Sequence, residues 1–137
     1  MRRILIIGTG IDLIRVDRIK KAAERWNDKF LSRIYTPREI SYCRGKREEY
    51  VHFAARFAAK EAVRKALGEG MNWKEVEITN GCLGKPEVKL TGQAGKIGRR
   101  QGAKEIFLSL SHDHNYAIAQ AIIVKDSETT EAQRTQS

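Results

Sequence analysis

Two carboxylates and a set of bases are the residues best suited to chemistry. Asp12 lies in GTGIDL, just after the apolar run RILII, and Glu61 lies in FAARFAAKEAVRKALGEG, residues 53–70. Carboxylates are hard oxygen ligands, and Mg²⁺ is commonly held by one or two of them with substrate phosphates and water in the other positions. Around Glu61 stand Arg56, Lys60, Arg64 and Lys65. A carboxylate among bases reads as a metal–phosphate site. It reads equally as a solvated basic helix face with a Glu61–Lys65 ion pair at i, i+4. Asp12 has a second reading too, as a cap for the helix after it. Spacing alone does not pair Asp12 with Glu61; only a fold can bring them together.

Other stretches offer phosphate contacts. In NGCLGKP, Lys85 is held before the rigid Pro86, where it reaches for a phosphate or serves as an ordinary turn lysine. In SLSHDHNYA, Ser111 and His112 sit where one strand ends and another begins. His112 and His114 spell H-x-H, but no Cys or Glu nearby completes a zinc set. Ser111, His112 and Asp113 are chain neighbours, whereas a catalytic triad is assembled in space. The Gly8-Thr9-Gly10 run after a strand begins like a dinucleotide-binding turn, but Leu13 occupies the place of the third glycine.

The elements that must position these residues are mixed helix and strand. Residues 3–7 read as a buried strand, loosened by Gly8-Thr9-Gly10. A helix is predicted from about Val16 to Trp26, and a second amphipathic piece from Lys29 to Tyr35. Thr36-Pro37-Arg38-Glu39 spells a helix start, with Thr36 as N-cap, Pro37 at N1 and Glu39 closing a capping box. That helix ends near Gly45. The long helix runs from about Glu48 to Leu67 and stops at Gly68 or Gly70. On it Val51, Ala54, Ala55, Ala58, Ala62 and Ala66 share a side that admits a close backbone neighbour, while Arg56, Lys60 and Arg64 form an i, i+4, i+8 row interleaved with Phe53, Phe57 and Leu67. Bases so placed repel each other, and beside aromatic rings they call for an anion. Strands follow at Glu75–Thr79, Pro86–Leu90, Ile106–Leu110 and Tyr116–Val124, with a turn at Gly81–Gly84 and a glycine-weakened helix at Gly92–Gly102. The pattern is one α+β domain over residues 1–125, an antiparallel sheet packed against helices. The polar, aperiodic DSETTEAQRTQS, residues 126–137, is expected to be a disordered tail.

Composition narrows the partners. The chain has 137 residues and a net charge of +9. Residues 1–70 carry 17 Lys/Arg against 9 Asp/Glu, and residues 71–137 carry 9 against 8. A basic half calls for an acidic partner: nucleic acid, a phosphorylated ligand or an acidic protein. No apolar run approaches the ~20 residues of a membrane span. The two cysteines, Cys43 and Cys82, are too few and too far apart for a disulfide framework, which agrees with a reducing, cytoplasmic setting.

GTGIDLIRVDRI, RFAAKEAVRKALGEG, NGCLGKP and SLSHDHNYA occur in the order found in the holo-acyl-carrier-protein synthases, and over residues 3–124 the chain resembles that family of phosphopantetheinyl transferases of bacterial fatty-acid synthesis. The resemblance implies a trimer with active sites at subunit interfaces. It implies Mg²⁺-dependent transfer of 4'-phosphopantetheine from coenzyme A to a serine of the acidic acyl carrier protein, releasing adenosine 3',5'-bisphosphate. By motif, Asp12 and Glu61 match the metal carboxylates, and Arg56, Lys60 and Lys65 match contacts to coenzyme A phosphates. Gly68 and Gly70 match the turn near the nucleotide, Lys85 and Pro86 the contact loop, Ser111 and His112 the loop near the 3'-phosphate, and Arg18 the carrier contact. Lys65 would offset charge on the leaving group. The base for the serine stays open among Glu61, Asp12 and a metal-bound water. The chain departs from the family pattern at Glu69, where a Thr is frequent, at Asp17 beside Arg18, and at Asp113 after His112. A small basic nucleic-acid-binding protein and a coenzyme A binder without turnover are the competing readings; the resemblance favours neither nucleic acid nor a membrane as partner.

Overall fold

The computed structural model describes residues 3–127. Strand β1 spans Arg3–Arg15, well beyond the predicted five residues. It passes straight through Gly8-Thr9-Gly10, and the reason is its neighbour. The long helix α3, Glu49–Leu67, lies against β1 so closely that a Cβ on Gly8 would collide with the carbonyl oxygen of Ala66, and one on Gly10 with that of Ala62. The glycines are therefore packing residues inside a strand, and the alanine side of α3 meets the close neighbour its composition called for.

Between β1 and α3 lie α1, Val16–Ile34, and α2, Pro37–Arg44. Asn27, at φ 50°, breaks α1 where the sequence divides into two amphipathic pieces. The two pieces bury Val16, Ile19 and Ala23, then Leu31 and Ile34. The Thr36 capping box forms as expected: Thr36 accepts from the Glu39 amide, and Glu39 accepts from the Thr36 amide. α3 ends at Gly68, which takes the left-handed conformation at φ 74° and donates its N–H to the Arg64 carbonyl.

After α3 come β2, Val76–Asn80, and β3, Pro86–Leu90, paired as an antiparallel hairpin. Then follow α4, Gly92–Gln101, and the hairpin of β4, Glu105–His112, with β5, Tyr116–Ser127. The main sheet has the order β1-β5-β4 and is antiparallel throughout. α3 covers its inner face, where Ala117, Ala119, Ala121 and Ile123 of β5 are buried. The outer face presents Ile11, Leu13, Phe107, Tyr116 and Ile118 to solvent. Asp126 and Ser127 were read as the start of the tail, but they pair with Ile4 and Arg3 as the end of β5. The rest of that segment, residues 128–137, lies outside the described residues. Cys43 is buried and Cys82 exposed, and both are free thiols. No described helix is long and apolar enough to cross a membrane.

The close β1–α3 contact yields a direct test. Gly10→Ala should lower unfolding free energy in urea by about 1–3 kcal/mol, the usual cost of overpacking. Gly70→Ala, where an added Cβ meets nothing, should stay within about 0.5 kcal/mol of the parent.

Candidate active site

Side chains alternate along a strand, so Gly8, Gly10 and Asp12 share a direction until the bulge beside Ile7. Gly10 rests on Ala62, and Asp12 is therefore carried to the flank of α3 that bears Lys65. Its carboxylate is only 16% exposed and accepts from the Lys65 ammonium at 3.1 Å. Lys65 also donates to the Ile11 carbonyl at 3.0 Å. Glu61, 22% exposed, pairs with Arg64 at 2.6 Å and accepts from the indole nitrogen of Trp73. The i, i+4 pair of Glu61 with Lys65 is thus not formed; the two residues face different partners. Each carboxylate is matched to a cation, and Glu61 lies about one helical turn from the Lys65 that holds Asp12, so this corner of α3 gathers oxygen ligands and positive charge. No cluster of three or more His, Cys, Asp or Glu with metal-binding geometry occurs among the described residues. A metal at this corner would need its other ligands from substrate and water.

The base row of α3 resolves into three different environments. Lys60 is fully buried, and each of its three protons has a partner: Glu39 at 2.7 Å, the Val76 carbonyl at 2.6 Å and the Trp73 carbonyl at 3.0 Å. Burial holds its pKa below the ordinary lysine value, against the opposing pull of Glu39. The expectation that Lys60 meets a coenzyme A phosphate is corrected by this: it has neither exposure nor a spare donor, and it ties α3 to α2 and β2. Glu39, the capping-box residue, also accepts from the Ile78 amide at 2.9 Å. The same carboxylate therefore starts a helix and neutralises a core lysine. Arg64 lies over the Trp73 ring at 4.8 Å.

Arg56 is placed differently from Lys60. Its guanidinium stacks on Tyr42 at 3.9 Å and donates to Asn80 at 3.1 Å, while its buried Nε has no partner. An unpaired buried donor is costly unless something completes it. Arg56 lines a cleft of about 490 Å³ together with Lys85, Pro86 and His112. Tyr42, His52 and Asn80 also line it, and they carry no mark in the sequence because each comes from a different element. His52 lies 5.5 Å from His112, ring to ring, and also borders an adjoining hollow with Lys46 and Arg47. Its pKa is lowered, first by burial and then by His112, Lys46 and Arg56. This surface suits a phosphate-bearing ligand.

Ser111 is separated from His112. It sits in register with Ile118 and, through that strand, Leu13, on the outer sheet face, and does not line the cleft. The three departures from pattern find local partners. Glu69 binds Arg100 and Gln101 of α4, which lower its pKa. Asp17 pairs with Lys21 at 2.9 Å. Asp113 accepts from the Asn115 and Tyr116 amides, both at 2.7 Å, and so shapes the β4–β5 turn. Gly70 has open space around it, and Arg18 is exposed on α1.

Two groups of candidate residues thus stand apart within one chain. Arg56 and Lys65 lie on opposite sides of α3, about 13.5 Å apart along its axis. The cleft belongs to one side and the carboxylate corner to the other.

The family model of the 4'-phosphopantetheinyl transferase superfamily matches residues 8–121, a span that includes both groups. The chain belongs to this superfamily. It is 47% identical over 125 residues to a holo-acyl-carrier-protein synthase of Geotalea daltonii, covering 88% of this chain and all of that protein. The fold is similar to the crystal structure of a holo-acyl-carrier-protein synthase from Plasmodium yoelii, with TM-score 0.82 and 34% identity over 91% of this chain and 99% of that one. It is also similar to the Helicobacter pylori synthase in complex with coenzyme A, with TM-score 0.74 and 30% identity over 84% and 98%. Superfamily membership agrees with a basic cleft sized for a nucleotide-bearing ligand.

The reassignment of Lys60 is open to measurement. Removing one partner of a buried ion pair costs about 3–5 kcal/mol. Lys60→Met should lose about that much stability in urea unfolding, with the affinity of the folded fraction for coenzyme A unchanged. Full stability with weakened coenzyme A binding would return Lys60 to the ligand site.

Proposed function

We propose that the chain transfers 4'-phosphopantetheine from coenzyme A to a serine of apo-acyl carrier protein and releases adenosine 3',5'-bisphosphate. The observation that carries this reading is the flank of α3 where Lys65 holds Asp12 at 3.1 Å, about one helical turn from Glu61. The synthases it resembles, one of them solved with coenzyme A, support it.

The reaction breaks the bond between the β-phosphorus of coenzyme A and the oxygen bridging to the nucleotide. The carrier serine oxygen forms the new bond, its proton passes to a base, and the leaving phosphate carries the added charge. Such transfers depend on positioning and charge neutralisation more than on covalent chemistry. Mg²⁺ fits the corner: two hard carboxylates are present, both partly open to solvent and already balanced by cations. Asp12 and Glu61 would hold it, and it would supply Lewis-acid stabilisation of the pyrophosphate oxygens. Lys65, half exposed beside Asp12, is free to swing to the leaving phosphate. Arg56, Lys85 and His112 would hold the nucleotide phosphates in the cleft, and Gly68 and Gly70, in the turn after α3, would leave room near the nucleotide. Arg18 and the surplus of bases in residues 1–70 would steer the acidic carrier.

A second copy of the chain completes the site in this reading. Within one chain the cleft and the carboxylate corner lie on opposite sides of α3, and the outer sheet face exposes Ile11 at 57% and Leu13 at 62%. Exposed apolar faces of this kind mark association surfaces. In a trimer built on that face, the corner of one subunit would meet the cleft of the next. Ser111, which faces outward in register with Leu13 and Ile118, would then also reach the shared site.

The test is the mass of apo-acyl carrier protein after incubation with the enzyme, coenzyme A and Mg²⁺. A gain of one phosphopantetheine is expected. Glu61→Gln should lower the rate at least ~100-fold without loss of fold, and near-parental turnover would remove Glu61 from the site.

A further inference from the structure

Glu61 does not fix itself. Its Oε1 receives two donors, the Arg64 guanidinium at 2.6 Å and the Trp73 indole N–H. Oε2 accepts no hydrogen bond among the described residues. Trp73 comes from outside α3, from a single 3₁₀ turn at Trp73–Glu75 just before β2. That turn is anchored. Lys60 donates to the Trp73 carbonyl at 3.0 Å, and Glu75 accepts from the Asn72 amide at 3.0 Å. The indole ring is packed as well, 6.3 Å from Phe57 and beneath the Arg64 guanidinium at 4.8 Å. A phenylalanine would satisfy both ring contacts. What the indole adds is one N–H, and that N–H is spent on Glu61.

We infer that Trp73 is a positioning residue for Glu61: its indole N–H, anchored through Lys60, clamps Oε1 and leaves Oε2 as the oxygen free to take a divalent cation. The inference rests on Asp12 and Glu61 being the metal carboxylates. Outer partners of metal ligands commonly set affinity by 10- to 100-fold when removed. Trp73 also doubles as a reporter, because the only other tryptophan, Trp26, is exposed on α1 and can be replaced.

The experiment uses the full chain with coenzyme A present and Mn²⁺ as probe. In Trp26→Phe, Trp73 emission should be quenched saturably as Mn²⁺ is added, and adding Glu61→Gln should abolish that saturable phase. In Trp73→Phe, which keeps the ring contacts, the Mn²⁺ concentration for half-maximal binding should rise about 10-fold. Its kcat at saturating metal should stay within about 2-fold of the parent, separating a binding role from a chemical one. Parental metal affinity in Trp73→Phe, with Glu61→Gln still deficient, would overturn the positioning role alone. Parental metal affinity in Glu61→Gln would overturn the metal reading, and the inference with it.

Discussion

The structure depends on one backbone contact. Gly8 and Gly10 let β1 lie directly under α3, against the carbonyls of Ala66 and Ala62, at a distance no side chain would permit. A sheet and a helix normally keep apart by the thickness of their side chains. Here glycine on one element and alanine on the other remove that layer. The result is register: the next inward residue of β1 is Asp12, and it is delivered to the flank of α3 that carries Glu61 and Lys65. A groove of small residues therefore determines where two carboxylates stand.

Charge on α3 is arranged by depth. Arg56, Lys60 and Arg64 repel one another along the helix, yet each has been given its own compensation. Lys60 has the buried Glu39 and two carbonyls, Arg64 has Glu61, and Arg56 has the face of Tyr42 and the Asn80 oxygen. Arg56 and Arg64 each keep a buried Nε without a partner, and of the two Arg56 lines the cleft. A row that looks uniform in sequence thus contains one structural lysine, one clamp on a carboxylate and one base turned to the cleft.

Much of this was legible in the sequence. The Thr36–Glu39 capping box, the glycine stop after Leu67, the break near Asn27 and the four strands after α3 follow from local rules of cap and pattern, and all are found. Gly8-Thr9-Gly10 reads as a loosening at the end of a short strand because glycine's conformational freedom and its lack of a side chain leave the same mark in sequence. Lys60 was misread because its partner, Glu39, already had a complete local explanation as a capping residue. Its second role exists only once α2 lies against α3. Trp73 carried no signal, since a lone aromatic before a strand reads as core. Tyr42, His52 and Asn80 were hidden for the related reason that a cleft is assembled from separate elements. Ser111 and His112 read as one loop in the sequence, whereas strand alternation turns them to opposite faces.

One chain holds the parts of the proposed site on two sides of its central helix, and the apolar outer face of the sheet offers the means of joining them. The proposed chemistry depends on Asp12 and Glu61 serving one cation. Its most direct test counts bound Mn²⁺ by electron paramagnetic resonance in the presence of coenzyme A, for the parent, Asp12→Asn and Glu61→Gln. One ion per chain is expected in the parent, with a marked loss of affinity in both variants. Parental binding in either variant would contradict it.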